Sequence, residues 1–152
     1  MELLDIYSLN DLDLHHSVDE IIKTNELSGP FGLLLTPWDA ANLIKARNLA
    51  VQSYGRIELN IDAVRMIIAK FCSSPYINQH DYVSTLNELI DIFYFMKHET
   101  EDIIGDSKLI DLMKYYFDHS CCGSTDLLKN RELSFTAQIL KKSREYGKGE
   151  DR

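Results

Sequence analysis

The stretch Leu89-Ile90-Asp91-Ile92-Phe93-Tyr94-Phe95-Met96 decides the fold, because wound as a helix it is apolar on almost every side. A helix of that kind lies in a core or against a partner. Spanning a bilayer takes about 20 apolar residues, so this run, with an Asp inside it, is too short to do so. Tyr82, Leu86, Leu89, Phe93 and Met96 follow at alternating spacings of four and three, which turns one stripe of the helix toward a neighbouring helix. Val83 and Ile90 lie beside that stripe. Ser84, Asn87, Glu88, Asp91 and His98 form a polar face opposite, and Tyr94 and Phe95 intrude on it. Asn78, with Asp81 three residues on, predicts the helix start as a variant of the capping box.

Working outward, punctuation divides the rest of the chain into further helices. Thr36-Pro37-Trp38-Asp39 reads as an N-cap, a first-turn proline and an acid near the positive end of the dipole. The helix it opens runs to about Tyr54 with Ala40, Leu43, Ile44, Arg47, Ala50, Val51 and Tyr54 on one face, and Gly55 stops it. Arg47 interrupts that face, and is expected either to snorkel to the rim or to pair with an acid inside the fold. Asn60 caps a helix to about Cys72 with Ala63, Val64, Ile67, Ile68 and Phe71 inward, and Ser73-Ser74-Pro75 breaks it.

Asp106 to about Cys121 forms another helix, with Leu109, Ile110, Met113, Tyr116 and Phe117 inward and Gly123 as its stop. A last helical region from Ser124 is expected to break near Asn130, with Leu133, Ala137 and Leu140 inside and a frayed, charged tail from Lys141. At the other end, His15 to Asn25 reads as a short helix holding Val18, Ile21 and Ile22, ended by Ser28-Gly29-Pro30. Residues 1–14 show no firm period. Phe31 to Leu35 and Arg56 to Leu59 are short enough to be strands or buried connectors, so a small two-stranded β element beside the helices stays open. The expectation is a mainly α, single-domain bundle of about five to six helices over residues 1–152, with 1–14 and 141–152 poorly ordered or peripheral.

Composition agrees with one soluble domain. The chain has 152 residues, 45% hydrophobic and 26% charged, and its size buries enough surface to need no staple. Its net charge is -8, and the segment His80 to Asp126 alone holds ten acids against Lys97, Lys108 and Lys114. Such a surface repels nucleic acid, whose affinity comes from lysine and arginine displacing phosphate counterions. Cys72, Cys121 and Cys122 make an odd count with two adjacent and no disulfide framework, and residues 1–7 lack the basic start and long apolar run of a signal peptide, so a reducing cytoplasm is the expectation.

No chemical motif stands out. His98, Glu101 and Asp102 have the spacing that places donors on one helical face, yet the paired Glu-x-x-His motifs of a di-iron bundle are absent. His119 with Cys121 and Cys122 lacks the cysteine spacing of a zinc site. His15 and His16 with Asp19 and Glu20 offer helical i, i+4 pairs. Nucleophile elbows, Walker loops and dinucleotide fingerprints do not occur. No catalytic residue, cofactor or metal ligand is assigned.

Phe31-Gly32-Leu33, Gly55-Arg56-Ile57-Glu58, Phe71-Cys72-Ser73-Ser74-Pro75-Tyr76-Ile77 and the run Glu88 to Glu101 resemble a family of short proteins of unknown function from Gram-positive anaerobic bacteria. The resemblance covers about Phe31 to Leu128. It implies a bacterial cytoplasmic protein and carries over no functional residue.

Two functions follow as expectations. The first is a non-catalytic helical protein-protein interaction module with Glu88, Asp91, Tyr94, Phe95 and His98 as its patch, binding a protein partner or a second copy as a homodimer, and neither nucleic acid nor membrane. The alternative is a metal-dependent or small-molecule-binding enzyme with an acidic and histidine site near His98 and Glu101.

Overall fold

A computed structural model describes the backbone of residues 14–150 and the side chains of residues 14–143. Expectations for residues 1–13 and for side chains after residue 143 lie outside the described residues. The principal helices are α1 (residues 14–23), α2 (Pro37–Ser53), α3 (Asp62–Phe71), α4 (Tyr82–Glu99), α5 (Asp106–His119) and α6 (Ser134–Glu150). The protein is mainly helical and forms one domain around α4, as the sequence predicts.

The central stripe explains why. Tyr82, Leu86, Leu89, Phe93 and Met96 are all fully buried, and removal of each from water stabilises the fold by about 1.5–3 kcal/mol. The flanks of α4 are buried too, since α2 packs along one side and α3 along another. Ile90, Ile92 and Tyr94 are therefore covered as well. Helix α5 packs on α3, where the rings of Phe71 and Phe117 meet edge to face at 5.3 Å. Glu20 reaches Arg65 at 3.5 Å to tie α1 to α3, and Lys141 reaches Glu99 at 2.6 Å to tie α6 to α4.

Helix boundaries follow local chemistry. Thr36 Oγ1 accepts from Asp39 N at 3.1 Å while Asp39 Oδ2 accepts from Thr36 N at 2.9 Å, a complete capping box built with Asp. Asn60 Oδ1 accepts from Asp62 N at 3.1 Å, so Asn60 does serve the start of α3. Asn78 instead turns the backbone onto Asp81 N at 3.0 Å, and α4 begins only at Tyr82. The Ser28-Gly29-Pro30 loop is also not a stop: the chain stays helical through the turns Asn25–Ser28 and Gly29–Phe31, and Gly32, with φ at 80°, ends them.

Among the described residues there is no strand, so the small β element is not formed. Side-chain amides take the place of ladder partners for the first of the two candidate segments. Asn25 exchanges bonds of 2.8 and 2.9 Å with the N–H and C=O of Leu35, and Gln79 does the same for Leu34 at 2.7 and 3.0 Å. Nor does the last region break near Asn130. Leu128–Leu133 is a π-helical turn, and its wider winding lets Leu128 and Leu133, five residues apart, both bury completely. Helix α6 then continues through Glu150.

Candidate functional site

Two helix ends meet beside Tyr94. Helix α2 closes with Gly55 N donating to Gln52 O at 3.1 Å and Arg56 N donating to Val51 O at 2.9 Å, the paired bonds of a Schellman motif, with Gly55 at φ 66°. Helix α4 closes in the same way, Glu101 N to His98 O at 3.1 Å and Asp102 N to Lys97 O at 2.9 Å. Here the left-handed positions are Glu101 at φ 50° and Asp102 at φ 61°, conformations that cost a non-glycine residue about 1–2 kcal/mol. These turns bring Arg56 and Asp102 together: Arg56 Nη1 donates to both carboxylate oxygens, at 2.9 and 3.0 Å.

After Arg56 the chain alternates, with the polar residues inward. Arg56 and Glu58 are half-buried and bonded to each other, Nε to Oε2 at 3.0 Å and Nη2 to Oε2 at 2.9 Å. The Tyr94 hydroxyl donates to Glu58 Oε1 at 2.8 Å, and the Arg56 guanidinium stands 5.8 Å from the centre of the Tyr94 ring. Beneath them Arg47, only 8% exposed, donates through Nη2 to Glu58 O and to Asn60 O and through Nη1 to Asn48 Oδ1. Its Nε is buried with no partner. The consequence is an inversion of the usual pattern: Ile57 is 90% exposed and Leu59 97% exposed.

Lys97 completes the network. Buried on the far side of Asp102, its Nζ donates to Ile104 O at 2.8 Å and lies 2.8 Å from Asp106 and 3.4 Å from Asp102. A cleft of about 480 Å³ opens over these groups, with Tyr54 and His98 stacked at 5.0 Å as one wall. Burial pushes the Tyr94 hydroxyl far up from its ordinary range and the Glu58 carboxylate adds to the shift, so Tyr94 remains a donor. Burial opposes the Arg56 charge, but the bonds to Glu58 and Asp102 outweigh it and hold Arg56 above its ordinary value. The Tyr54 hydroxyl is raised by burial, with Asp91 and Glu99 contributing.

The expected patch is not one surface. Tyr94 is 1% exposed, because the 54–60 segment closes over it and Glu58 takes its hydroxyl, so it is no surface anchor. His98 is exposed on the Tyr54 cleft. Glu88 and Asp91 belong to a separate cleft of about 470 Å³ beside the π-helical turn, where Glu88 accepts from the Thr125 hydroxyl and Asp91 lies 3.7 Å from Lys129. Phe95 is half-buried nearby, with the Lys129 ammonium 4.8 Å from its ring centre. Arg47 departs from both expectations, since it is buried and its guanidinium donates to two backbone carbonyls and the Asn48 amide rather than to rim water or an acid.

Of the metal candidates, Asp102 is held by Arg56 and Lys97, and among the described residues no group of three histidine, cysteine or carboxylate side chains is placed to hold an ion. Cys121 is buried and Cys122 exposed, and the His119 ring lies instead 4.8 Å from Tyr115. His16 does pair with Glu20, at 2.6 Å. Sequence reasoning missed Ile57 and Leu59. Their only signal is the alternation Arg56-Ile57-Glu58-Leu59, which ordinarily places the apolar residues inside.

Fold and site together define a single-domain helical protein in which a buried arginine and tyrosine hold an apolar loop in solvent. The chain belongs to the family of unknown function DUF6323, which matches residues 20–146. No curated protein and no solved structure matches it. Among the described residues, no helix is long and apolar enough to cross a membrane.

Proposed function

We propose that this protein is a non-catalytic helical protein-protein interaction module, and that its partner is a protein offering an apolar pocket to Ile57 and Leu59. The observation that carries this reading is the near-complete exposure of both side chains on a segment pinned from beneath by Arg47 and Tyr94. A loop that served only to connect helices would gain by turning those side chains inward, by about 1.5–3 kcal/mol each. Holding them outward in a fixed geometry lowers the ordering cost of binding.

A net charge of -8 makes nucleic acid and anionic membrane poor partners, and three unpaired cysteines suit a cytoplasmic setting. The enzyme alternative near His98 and Glu101 has less support, because Asp102, which would complete its acidic set, is committed to Arg56 and Lys97. The test is the double variant Ile57→Ser with Leu59→Ser, used as bait beside the wild type in extracts of its source. Support requires an unchanged melting temperature and loss of a discrete captured partner. The same partner retained at equal yield would overturn the reading.

A further inference from the structure

Ile57 lines the 480 Å³ cleft together with Tyr54, His98, Glu101 and Asp102, so a partner seated on Ile57 also closes over that cleft. We propose that this partner fills it with an arginine side chain, whose guanidinium stacks on the Tyr54–His98 wall and pairs with Glu101 and Asp102. The proposal rests on the reading of Ile57 and Leu59 as docking residues, and adds to it the charge that the partner carries beside its apolar pocket.

The cations already at the cleft are committed. An ammonium has three N–H donors, and Lys97 Nζ faces Ile104 O, Asp106 and Asp102. Arg56 is bonded through all three of its nitrogens, to Glu58 and to Asp102. Against these two charges stand four carboxylates, Glu58, Asp102, Asp106 and Glu101, so the cleft and its bonded neighbours keep an excess of negative charge. The Asp102 side chain is 52% exposed, and a carboxylate accepts roughly four hydrogen bonds, so acceptor capacity remains on its solvent side. Glu101, also exposed, stands beside it, and the backbone bonds that close α4 fix where both side chains start.

The wall selects the kind of cation. The rings of Tyr54 and His98 lie 5.0 Å apart with 30° between their planes, which gives the cleft one aromatic side and one acidic side. A planar guanidinium uses both at once, stacking by its face and pairing with carboxylates at its edge, whereas a compact ammonium offers no face to stack. An anionic occupant meets like charge here. At long range the net charge of -8 favours approach by a basic surface in the same way.

The probe is N-acetyl-arginine amide, with the neutral isostere N-acetyl-citrulline amide as control, each titrated to about 50 mM into the isotope-labelled full chain at constant ionic strength and followed by amide chemical shifts. Saturable shifts are expected at Gly55, Ile57, His98 and Glu101 with a dissociation constant of about 1–10 mM, as suits a single side chain, and none from the citrulline amide. Glu101→Gln and, separately, Tyr54→Leu should each weaken binding about threefold or more while circular dichroism stays that of the wild type. Leu59→Ser, outside the cleft lining, should bind the probe as the wild type does. No saturation by the arginine amide, or equal shifts from the citrulline amide, overturns the proposal and leaves the Ile57 and Leu59 reading standing, because that reading is decided by capture. With Glu101→Arg as bait the captured partner should fall several-fold; the same partner at equal yield overturns this proposal alone. No captured partner from the wild type removes the docking reading, and this proposal with it.

Discussion

Replacing Arg47 with Met keeps the buried stem and removes the guanidinium, which isolates its role under the 56–60 loop. The change deletes the donor to Glu58 O and the 2.9 Å bond to Asn60 O, and the partner of Asn48 Oδ1 at 2.7 Å. Bonds from a charged donor contribute about 1.5–3 kcal/mol each, and the lower end applies because both carbonyls lie on a loop that water can reach. Asn48 is half-buried and recovers a water partner. Against this, the change also removes the buried Nε that has no partner, relieving about 1 kcal/mol. The net expectation is a loss of about 2 kcal/mol, or a fall of roughly 4–8 °C in melting temperature for a domain of this size. Urea melts give the first number, and amide exchange gives the location: protection should fall in residues 54–60 and at Tyr94, while the α3–α5 contact keeps its own. A loss below about 0.5 kcal/mol with the loop equally protected would refute the claim that Arg47 holds it.

Other outcomes follow from the same contacts. The Tyr82 hydroxyl is fully buried beside Ser28, whose own hydroxyl donates to Leu33 O at 2.7 Å, and makes no hydrogen bond of ordinary geometry, so Tyr82→Phe should keep stability or raise it by up to about 1 kcal/mol in urea melts at pH 8. Burial also pushes Tyr82 up to about 12, above the value it regains on unfolding. Stability is therefore insensitive to this group below about pH 10 and falls as pH rises toward about 12, by on the order of 1 kcal/mol at pH 11, a loss that Tyr82→Phe should not show. Gly123→Ala meets Tyr76 Cβ at 2.5 Å as well as an unfavourable φ of 85°, and should cost at least about 2 kcal/mol. Gly32→Ala has open space and only the φ penalty, so about 1 kcal/mol is expected from the same melts. A disulfide reagent at pH 8 should modify Cys122 quickly in the folded protein and Cys72 and Cys121 only on unfolding, since both are buried and burial raises their thiols.

The fold was legible where spacing alone carries it. The stripe Tyr82 to Met96, the inward faces of α2, α3 and α5, and the Thr36 start all follow from period and capping chemistry. What stayed hidden depends on partners distant in sequence. Tyr94 reads as surface because its helical neighbours are polar, and only the return of Glu58 from 36 residues away covers it. Arg47 was visible as an anomaly, yet nothing local shows that its partners are the carbonyls of Glu58 and Asn60. Leu34 and Leu35 carry a strand-like backbone whose ladder is supplied by Gln79 and Asn25 side chains, an arrangement that residue patterns do not encode. The expected break near Asn130 falls inside the π-helical turn Leu128–Leu133, whose wider winding α-helical spacing does not encode.

The central claim is that Ile57 and Leu59 are held outward for a protein partner. Site-specific photo-cross-linking tests it most directly, with the reactive residue at Leu59 in cells of the source and a control at Gln52, which is exposed one turn before the loop. A discrete adduct is expected from position 59, absent at position 52 and lost when Arg47→Met frees the loop. No adduct at 59, or the same adducts from both positions, would contradict it.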